Sequence, residues 1–159
     1  MQRSEQLKKL SWEHHDALKF ARNVGQGLDK KADQREVADY AVYVTDHFLT
    51  PHFRLEEEAL VSRLSTEQLQ EQSVQQVLEE HRLFAGLRDD LATAAETELP
   101  ALLGRFRDLL KAHVRLEENR FFPFVEQALS ADALTRAMAE IEARHISACE
   151  DWGRSFLAG

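Results

Sequence analysis

The sequence HFRLEE at residues 52–57 occurs a second time, as HVRLEE, at residues 113–118. Both copies have the form H-x-R-L-E-E, and both lie in stretches whose apolar residues keep the spacing of an α-helix. The distance between the copies is about the length of one helical hairpin. We therefore interpret the chain as two similar hairpins, each made of two helices.

Helical periodicity continues outward from these copies over most of the chain. The sequence predicts helices from an N-cap at Ser11 to about Leu28, from about Asp33 to Ser62, from a capping box at Ser65 and Gln68 to about Ala95, from Pro100 to just beyond Pro123, and from a cap at Ser130 over about residues 131–157. Pro51 lies inside the second helix and is expected to kink it, because proline lacks a backbone N–H.

Long amphipathic helices joined by short breaks favour antiparallel packing. We predict an all-α fold, an up-down-up-down four-helix bundle with an additional C-terminal helix. The whole chain, residues 1–159, is expected to form one domain, in which the ligand-bearing bundle covers about residues 10–128.

The composition excludes several classes of protein. The chain has 28 acidic and 20 basic residues and a formal charge of −8, which argues against nucleic acid as the main partner. No apolar run approaches the roughly 20 residues of a membrane span, and the N-terminus lacks a signal-peptide core, so we expect a cytoplasmic protein. The single cysteine, Cys149, excludes an internal disulfide and a cysteine-based metal site.

The unusual feature of the composition is its 7 histidines. Each hairpin has a histidine on its first helix and a His-x-x-x-Glu pair on its second. Residues four apart lie on one helical face, and these pairs continue apolar faces that carry no lysine or arginine. A buried carboxylate without a counter-charge costs several kcal/mol, which favours a metal ion here. The candidate ligands are His14 or His15, His52, Glu56, His81, His113 and Glu117.

Two alignments of the hairpins leave the first-helix ligand open. The dipeptide Glu-His at residues 13–14 mirrors the one at residues 80–81, which selects His14. Leu18, three residues after His15, mirrors Phe84, three residues after His81, which selects His15. The histidine that is not a ligand is expected at the rim of the bundle.

The two remaining histidines lie outside this pattern. His47 is interpreted as an outer partner of the ligands or as a surface residue, and His145 as an exposed helical residue. Four imidazoles and two carboxylates without a thiolate suit a redox-active metal better than a closed structural zinc site. We expect hydrophobic walls around the site from Phe48, Phe84, Phe106 and Phe121.

The order His, His-x-x-x-Glu, His, His-x-x-x-Glu resembles the hemerythrin-like, or HHE cation-binding, family over roughly residues 10–128. The stretches LSWEHH at residues 10–15 and EHR at residues 80–82 agree with it. The resemblance implies a four-helix bundle around two iron ions in an oxo- or hydroxo-bridged di-iron centre. It also assigns the ligand roles: terminal ligands His52, His81 and His113, and bridging ligands Glu56 and Glu117.

The chain departs from the oxygen-carrying hemerythrins at two places. Ala85 stands where they have a fifth histidine, and the pair His113 and Glu117 replaces a His-x-x-x-x-Asp pair. The resemblance therefore implies relatives that sense O2 or NO, handle iron or respond to oxidative stress. We expect a metal- and oxygen-binding protein rather than a dedicated enzyme, with O2 or NO as its ligand and a second copy of the chain or a separate signalling protein as its partner.

Two alternatives belong to other classes of protein. A histidine phosphotransfer module is also a four-helix bundle, and its phosphorylated residue would be His145 beside Arg144. A helical interaction protein would use the histidines for packing and bind no metal. Metal analysis of the purified protein separates these alternatives from the metal-site hypothesis.

Overall fold

A computed structural model of the chain describes residues 3–150, Trp152 and Phe156. This part contains seven α-helices and no β-strand. The helices are α1 (Lys8–Asp29), α2 (Gln34–Val44), α3 (Thr50–Ala59), α4 (Gln72–Thr93), α5 (Leu99–Leu116), α6 (Phe122–Ala128) and α7 (Ala131–Ala143). A π-helical turn, Thr45–Leu49, joins α2 to α3, and a second one, Glu117–Phe121, joins α5 to α6.

Four helical rods form the bundle: α1, α2–α3, α4 and α5–α6. The first rod contacts α2 and α5, and α4 contacts the same two helices, while α2 and α5 also contact each other across the bundle. The seventh helix packs against α3 and against the 3-10 turn that precedes α1. The predicted all-α four-helix bundle with an additional C-terminal helix is confirmed. No helix in the described ranges is long and apolar enough to cross a membrane.

The bundle contains two apolar cores, and the histidines predicted as ligands lie between them. On α1, Leu10 belongs to one core and Ala17 to the other, and His14 lies between the two. On each of the other three rods, too, the histidine lies between residues of one core and residues of the other. Apolar layers therefore cover the polar layer from both ends of the bundle.

The structure accommodates Pro51 by a π-helical turn instead of an interrupted α-helix. The turn Thr45–Leu49 ends just before Pro51, which occupies the first turn of α3. Pro123 has the same position after the turn Glu117–Phe121. Proline removes one backbone hydrogen bond and its ring crowds the preceding turn, and a turn widened by one residue relieves both effects.

The predicted start of the first helix and the predicted end of the C-terminal helix are wrong. Ser11 lies inside α1 rather than at its N-cap, because the 3-10 turn Glu5–Leu7 already leads into the helix at Lys8. The C-terminal helix ends at Ala143 and does not continue over residues 144–150, because the backbone of Arg144 is extended, with φ −98° and ψ 126°. Most of the predicted helix beyond residue 150 lies outside the described residues.

The capping box at Ser65 forms as predicted but does not start α4. The Ser65 N–H donates to Gln68 Oε1 at 2.9 Å, and the Gln68 N–H donates to Ser65 Oγ at 3.1 Å. A short 3-10 turn follows, and Glu71 then caps α4 by accepting hydrogen bonds from two backbone N–H groups. The predicted helix therefore begins several residues too early.

Candidate metal centre

Six of the side chains singled out in the sequence converge at the middle of the bundle. They are His14 on α1, His52 and Glu56 on α3, His81 on α4, His113 on α5 and Glu117 at the start of the second π-helical turn. All six residues are buried, with exposed fractions between 0% and 8%.

These side chains form two overlapping groups of four donors. One group contains His14 and His52, the other contains His81 and His113, and both contain Glu56 and Glu117. Within each group the donor atoms lie within 4.8 Å of one another. The two carboxylates therefore lie where the groups join.

The oxygens of Glu56 face different groups. Its Oε2 lies 3.3 Å from His52 Nε2, and its Oε1 lies 3.3 Å from His81 Nε2. This carboxylate, which is completely buried, therefore spans both groups of donors.

Glu117 has the same arrangement on the opposite rod. Its Oε1 lies 2.8 Å from His14 Nε2, and its Oε2 lies 3.2 Å from His113 Nε2. The two carboxylates thus take equivalent positions in the two hairpins, in agreement with the repeated H-x-R-L-E-E sequence.

Several donor atoms of this layer have no hydrogen-bond partner in the part of the chain that the structure describes. These atoms are Nε2 of His52, His81 and His113, both side-chain oxygens of Glu56, and Oε2 of Glu117. A buried polar group without a partner costs about 1–3 kcal/mol, so a concentration of such groups needs compensation. Imidazole nitrogens and carboxylate oxygens together form a donor set that fits a metal ion.

A second layer of carboxylates orients the histidines by accepting hydrogen bonds from their Nδ1 atoms. Two of these hydrogen bonds join residues of the same hairpin. Glu13 accepts a hydrogen bond from His52 Nδ1 at 2.7 Å. Glu80 accepts one from His113 Nδ1 at 2.8 Å. With Nδ1 protonated, the lone pair of each neutral ring lies on Nε2, which faces the buried donor groups.

Two further contacts of this kind join the hairpins. Glu57 accepts from His81 Nδ1 at 2.7 Å, and Glu118 accepts from His14 Nδ1 at 2.6 Å. Every histidine of the centre therefore has an outer carboxylate, and the pattern is the same in both halves of the bundle. Such carboxylate–histidine contacts are the usual second layer around a metal site.

The carboxylates also raise the pKa values of the histidines in the metal-free chain. Burial disfavours the charged rings, but the close carboxylates of Glu117 and Glu56 and the hydrogen bond to Glu57 outweigh it and raise the pKa of His81 to about 11. Burial is likewise outweighed at His113, where the negative charge of the nearby Glu117 and the hydrogen bond to Glu80 raise the pKa to about 9. A metal ion must therefore displace protons to bind here.

The pKa of Glu117 moves in the opposite direction. Burial disfavours its charged form, but the positive charge of His113 and the close contacts of His14 and His52 hold the pKa of Glu117 well below its usual value. The carboxylate therefore remains charged, as a metal ligand must be.

Aromatic rings surround the centre, although they are not all the predicted ones. Phe48 and Phe84, which were predicted, contact His52 and His113. The predicted Phe106 contacts Phe84 instead of a histidine, because it lies farther along the bundle.

The predicted Phe121 likewise contacts another ring, Phe122, instead of a histidine. It is Phe122 that stacks on His14, with the ring planes 5° apart. Phe53 stacks on His81 with the ring centroids 4.2 Å apart. Both of these stacking rings directly follow a residue that the sequence analysis had selected, but helical spacing alone did not assign them to the site.

The structure brings His14, and not His15, to the centre. The ring of His15 is exposed and contacts Trp12, with the centroids 5.1 Å apart. His47 is a surface residue whose ring contacts Tyr43, rather than an outer partner of the ligands. His145 is exposed as expected, but it lies beyond the end of α7 and is not helical.

The four outer glutamates, Glu13, Glu57, Glu80 and Glu118, were not identified as functional residues in the sequence. The sequence nevertheless contains a pattern that marks these glutamates: one glutamate directly precedes His14 and His81, and another directly follows each candidate bridging residue. Assigning these glutamates to the outer layer requires knowing which rods face each other.

A comparison with family models places these observations in a known class. The model described as the hemerythrin HHE cation binding domain matches residues 6–125. Searches of curated proteins and of solved structures found no match. The chain belongs to the hemerythrin HHE cation-binding family, and its buried histidine and glutamate groups fit a metal-binding protein.

Proposed function

We propose that the chain holds two iron ions and binds a small diatomic ligand, O2 or NO. The observation that carries this proposal is the pair of overlapping donor groups that share Glu56 and Glu117. His14 and His52 would hold one ion and His81 and His113 would hold the other. The two carboxylates would bridge the ions, as the resemblance to hemerythrin-like proteins implies.

The donor set supports iron over a structural zinc ion. Structural zinc sites are closed, four-coordinate and usually contain thiolates, whereas this layer offers imidazoles and carboxylates. Six protein ligands shared by two ions leave coordination positions for a further ligand. A bound pair of iron ions would supply redox chemistry and a binding position for a diatomic molecule.

The protein would contribute orientation and exclusion of water. The Nδ1–carboxylate contacts hold the four imidazoles with Nε2 directed at the shared centre. The stacked rings of Phe48, Phe53 and Phe122 cover the faces of three histidines and limit access of solvent. A shielded, hydrogen-bonded environment of this kind controls the affinity and the redox potential of a metal site.

We further propose a role in sensing O2 or NO, in iron handling or in the response to oxidative stress, and binding in preference to dedicated catalysis. The expected partner, a second copy of the chain or a separate signalling protein, stays a prediction, and so does the cytoplasmic location.

The phosphotransfer alternative has less support than the metal centre. Its candidate phosphorylated residue, His145, lies beyond the end of α7 and not on a helix. The interaction-protein alternative would leave the buried Nε2 atoms and carboxylate oxygens of the central layer without compensation.

Metal analysis of anaerobically reconstituted protein tests the proposal. We expect about two iron ions per chain and, in air, an oxo-to-iron charge-transfer band that NO changes. Replacing the bridging carboxylate by an amide, Glu117→Gln, should lower the iron content because it removes the charge shared by both ions. The matched control is Glu142→Gln, at an exposed position of α7. A folded chain without iron after reconstitution would contradict the proposal.

A further inference from the structure

The two halves of the centre differ in their access to solvent. A depression of about 290 Å³ between α3 and α4 reaches His81 and Glu57. The side chain of Glu57 is 45% exposed, and in the described ranges its only hydrogen bond is the one from His81. His81 is 8% exposed, the largest value among the six central residues.

The corresponding face on the opposite side of the bundle is arranged differently. A groove of about 830 Å³ runs between α1 and α5, and its described lining includes Leu18 and Asn119 but neither His14 nor Glu118. Leu18 occupies, four residues after His14, the position that Ala85 occupies after His81. A large side chain thus stands on one face where a methyl group stands on the other.

The N-terminal segment closes this second face. Ser11 Oγ donates to the carboxylate of Glu118 at 2.7 Å, and the guanidinium of Arg3 donates to the backbone carbonyl of the same residue. Arg3 also donates to Glu126 at 2.8 Å and lies over the ring of Phe122, 5.3 Å from its centroid.

Among the described residues, the depression between α3 and α4 has no equivalent of this closure. The residue that corresponds to Ser11, two positions before the glutamate of the Glu-His dipeptide, is Leu78, which has no side-chain donor. Leu78 lines the depression instead. Glu57 therefore lacks the second hydrogen bond that restrains Glu118.

We infer that the metal position held by His81 and His113 exchanges its ion through the depression at Ala85, whereas the position held by His14 and His52 is closed by Arg3 and Ser11. This inference rests on the proposed binuclear centre. It adds that the two ions are released at different rates. An ion leaves a buried site only when water or a chelator reaches it. On the open side that requires displacing one half-exposed carboxylate.

Chelator-driven release of iron tests this inequality. Anaerobic protein loaded with Fe2+ is mixed with bipyridine, and the absorbance of the ferrous complex is followed with time. We expect two phases of equal amplitude, one for each ion. Bipyridine is uncharged, so Arg54 and Arg82 at the rim of the depression do not attract or repel it.

Two variants assign the phases to the two faces. Ala85→Leu introduces the side chain that the other face already has, and both residues are strong helix formers. We expect it to slow the fast phase by about tenfold, which corresponds to roughly 1.4 kcal/mol of barrier, and to leave the slow phase unchanged. Arg3→Ala should accelerate the slow phase alone. The control is Ala101→Leu, the same change at an exposed position of α5.

The outcomes separate this inference from the proposed function. Two bound ions that leave in a single phase, or an Ala85→Leu protein that releases iron like the Ala101→Leu control, would overturn the inference and leave the binuclear centre intact. Fewer than two ions per chain before the chelator is added would contradict the binuclear centre itself, and the inference would fail with it.

Discussion

At the scale of single residues, each histidine of the centre has two distinct tasks for its two ring nitrogens. Nδ1 donates to a glutamate, and Nε2 faces the shared donor groups. The contact at Nδ1 sets the orientation of the ring before any ion binds and leaves Nε2 as the nitrogen that gives up its proton to a metal ion. The glutamates outside the centre are thus as specific in their placement as the residues inside it.

The neighbours His14 and His15 provide a sharp test of the ligand set. We expect His14→Ala to lower the iron content of the reconstituted protein, because His14 Nε2 lies among the buried donors. His15→Ala is the matched control and should keep the full content, since the ring of His15 is exposed against Trp12. Elemental analysis of both variants measures the difference. Equal iron contents would argue against the assignment of His14.

The outer carboxylates should affect metal affinity without contacting the ion. Glu80→Ala removes the acceptor for His113 Nδ1, and loss of such a partner typically weakens metal binding about 10–100-fold. Glu80→Gln keeps an acceptor oxygen and should recover part of the affinity. Competition with a chelator of known affinity measures both values. If the alanine variant binds iron as tightly as the unmodified chain, Glu80 does not orient the ligand.

At the scale of helices, the residue at which a helix begins or ends is determined by capping hydrogen bonds and turns. These involve only a few neighbouring residues. Ser130 caps α7, because its side chain accepts a hydrogen bond from the Ala133 N–H at 3.1 Å. This cap was predicted correctly, since serine before a helical stretch is a strong local signal. The end of α7 was not, because no glycine or proline marks it.

The Ser130 cap gives a prediction that is independent of the metal. Ser130→Ala should lower the free energy of unfolding by about 0.5–2 kcal/mol, because one N–H of the first turn loses its partner. Ser130→Asp retains a capping oxygen and should keep most of the stability. Denaturant unfolding of the metal-free chain measures both, and iron content should not change because α7 carries no central ligand. An alanine variant as stable as the unmodified chain would contradict the role of the cap.

The predictable part of the site is the part that lies along one helix. His52 and Glu56 had to share a face because they are four residues apart, and the same holds for His113 and Glu117. Contacts between rods depend on their register, which local sequence does not encode. The contact between His81 and Glu57, which joins two hairpins, could therefore not be deduced from spacing.

The uncertainty between His14 and His15 has the same physical origin. Adjacent helical residues point about 100° apart, and the apolar face of α1 is wide enough to include either direction. Only the packing of α1 beside α2 and α5 brings His14 to the centre and leaves His15 exposed.

At the scale of the whole molecule, the metal-free chain carries a proton-binding layer between two apolar cores. The pKa of His81 is raised from 6.5 to about 11, and that of His113 from 6.5 to about 9. A raised pKa in the folded state stabilises the fold fully below the unfolded value of 6.5. This contribution is lost as the pH rises through the folded values.

We therefore expect the free energy of unfolding of the metal-free chain to fall as the pH rises from 6.5 through about 9 and on toward about 11. Denaturant unfolding across this range measures the change. The metal-loaded protein is the control, because its ligating nitrogens are already deprotonated and its stability should depend less on pH. Metal-free and metal-loaded chains with the same pH dependence would contradict the shifted pKa values.

The sharing of Glu56 and Glu117 between both donor groups has a consequence for the lifetime of the protein. On the proposed function, each ion is held from both hairpins, so the free energy of ion binding is also free energy of hairpin association. Scarcity of the ion then increases the fraction of chains whose hairpins separate and become substrates for proteases. The abundance of this protein would thereby follow the supply of its own metal, without any dedicated degradation signal.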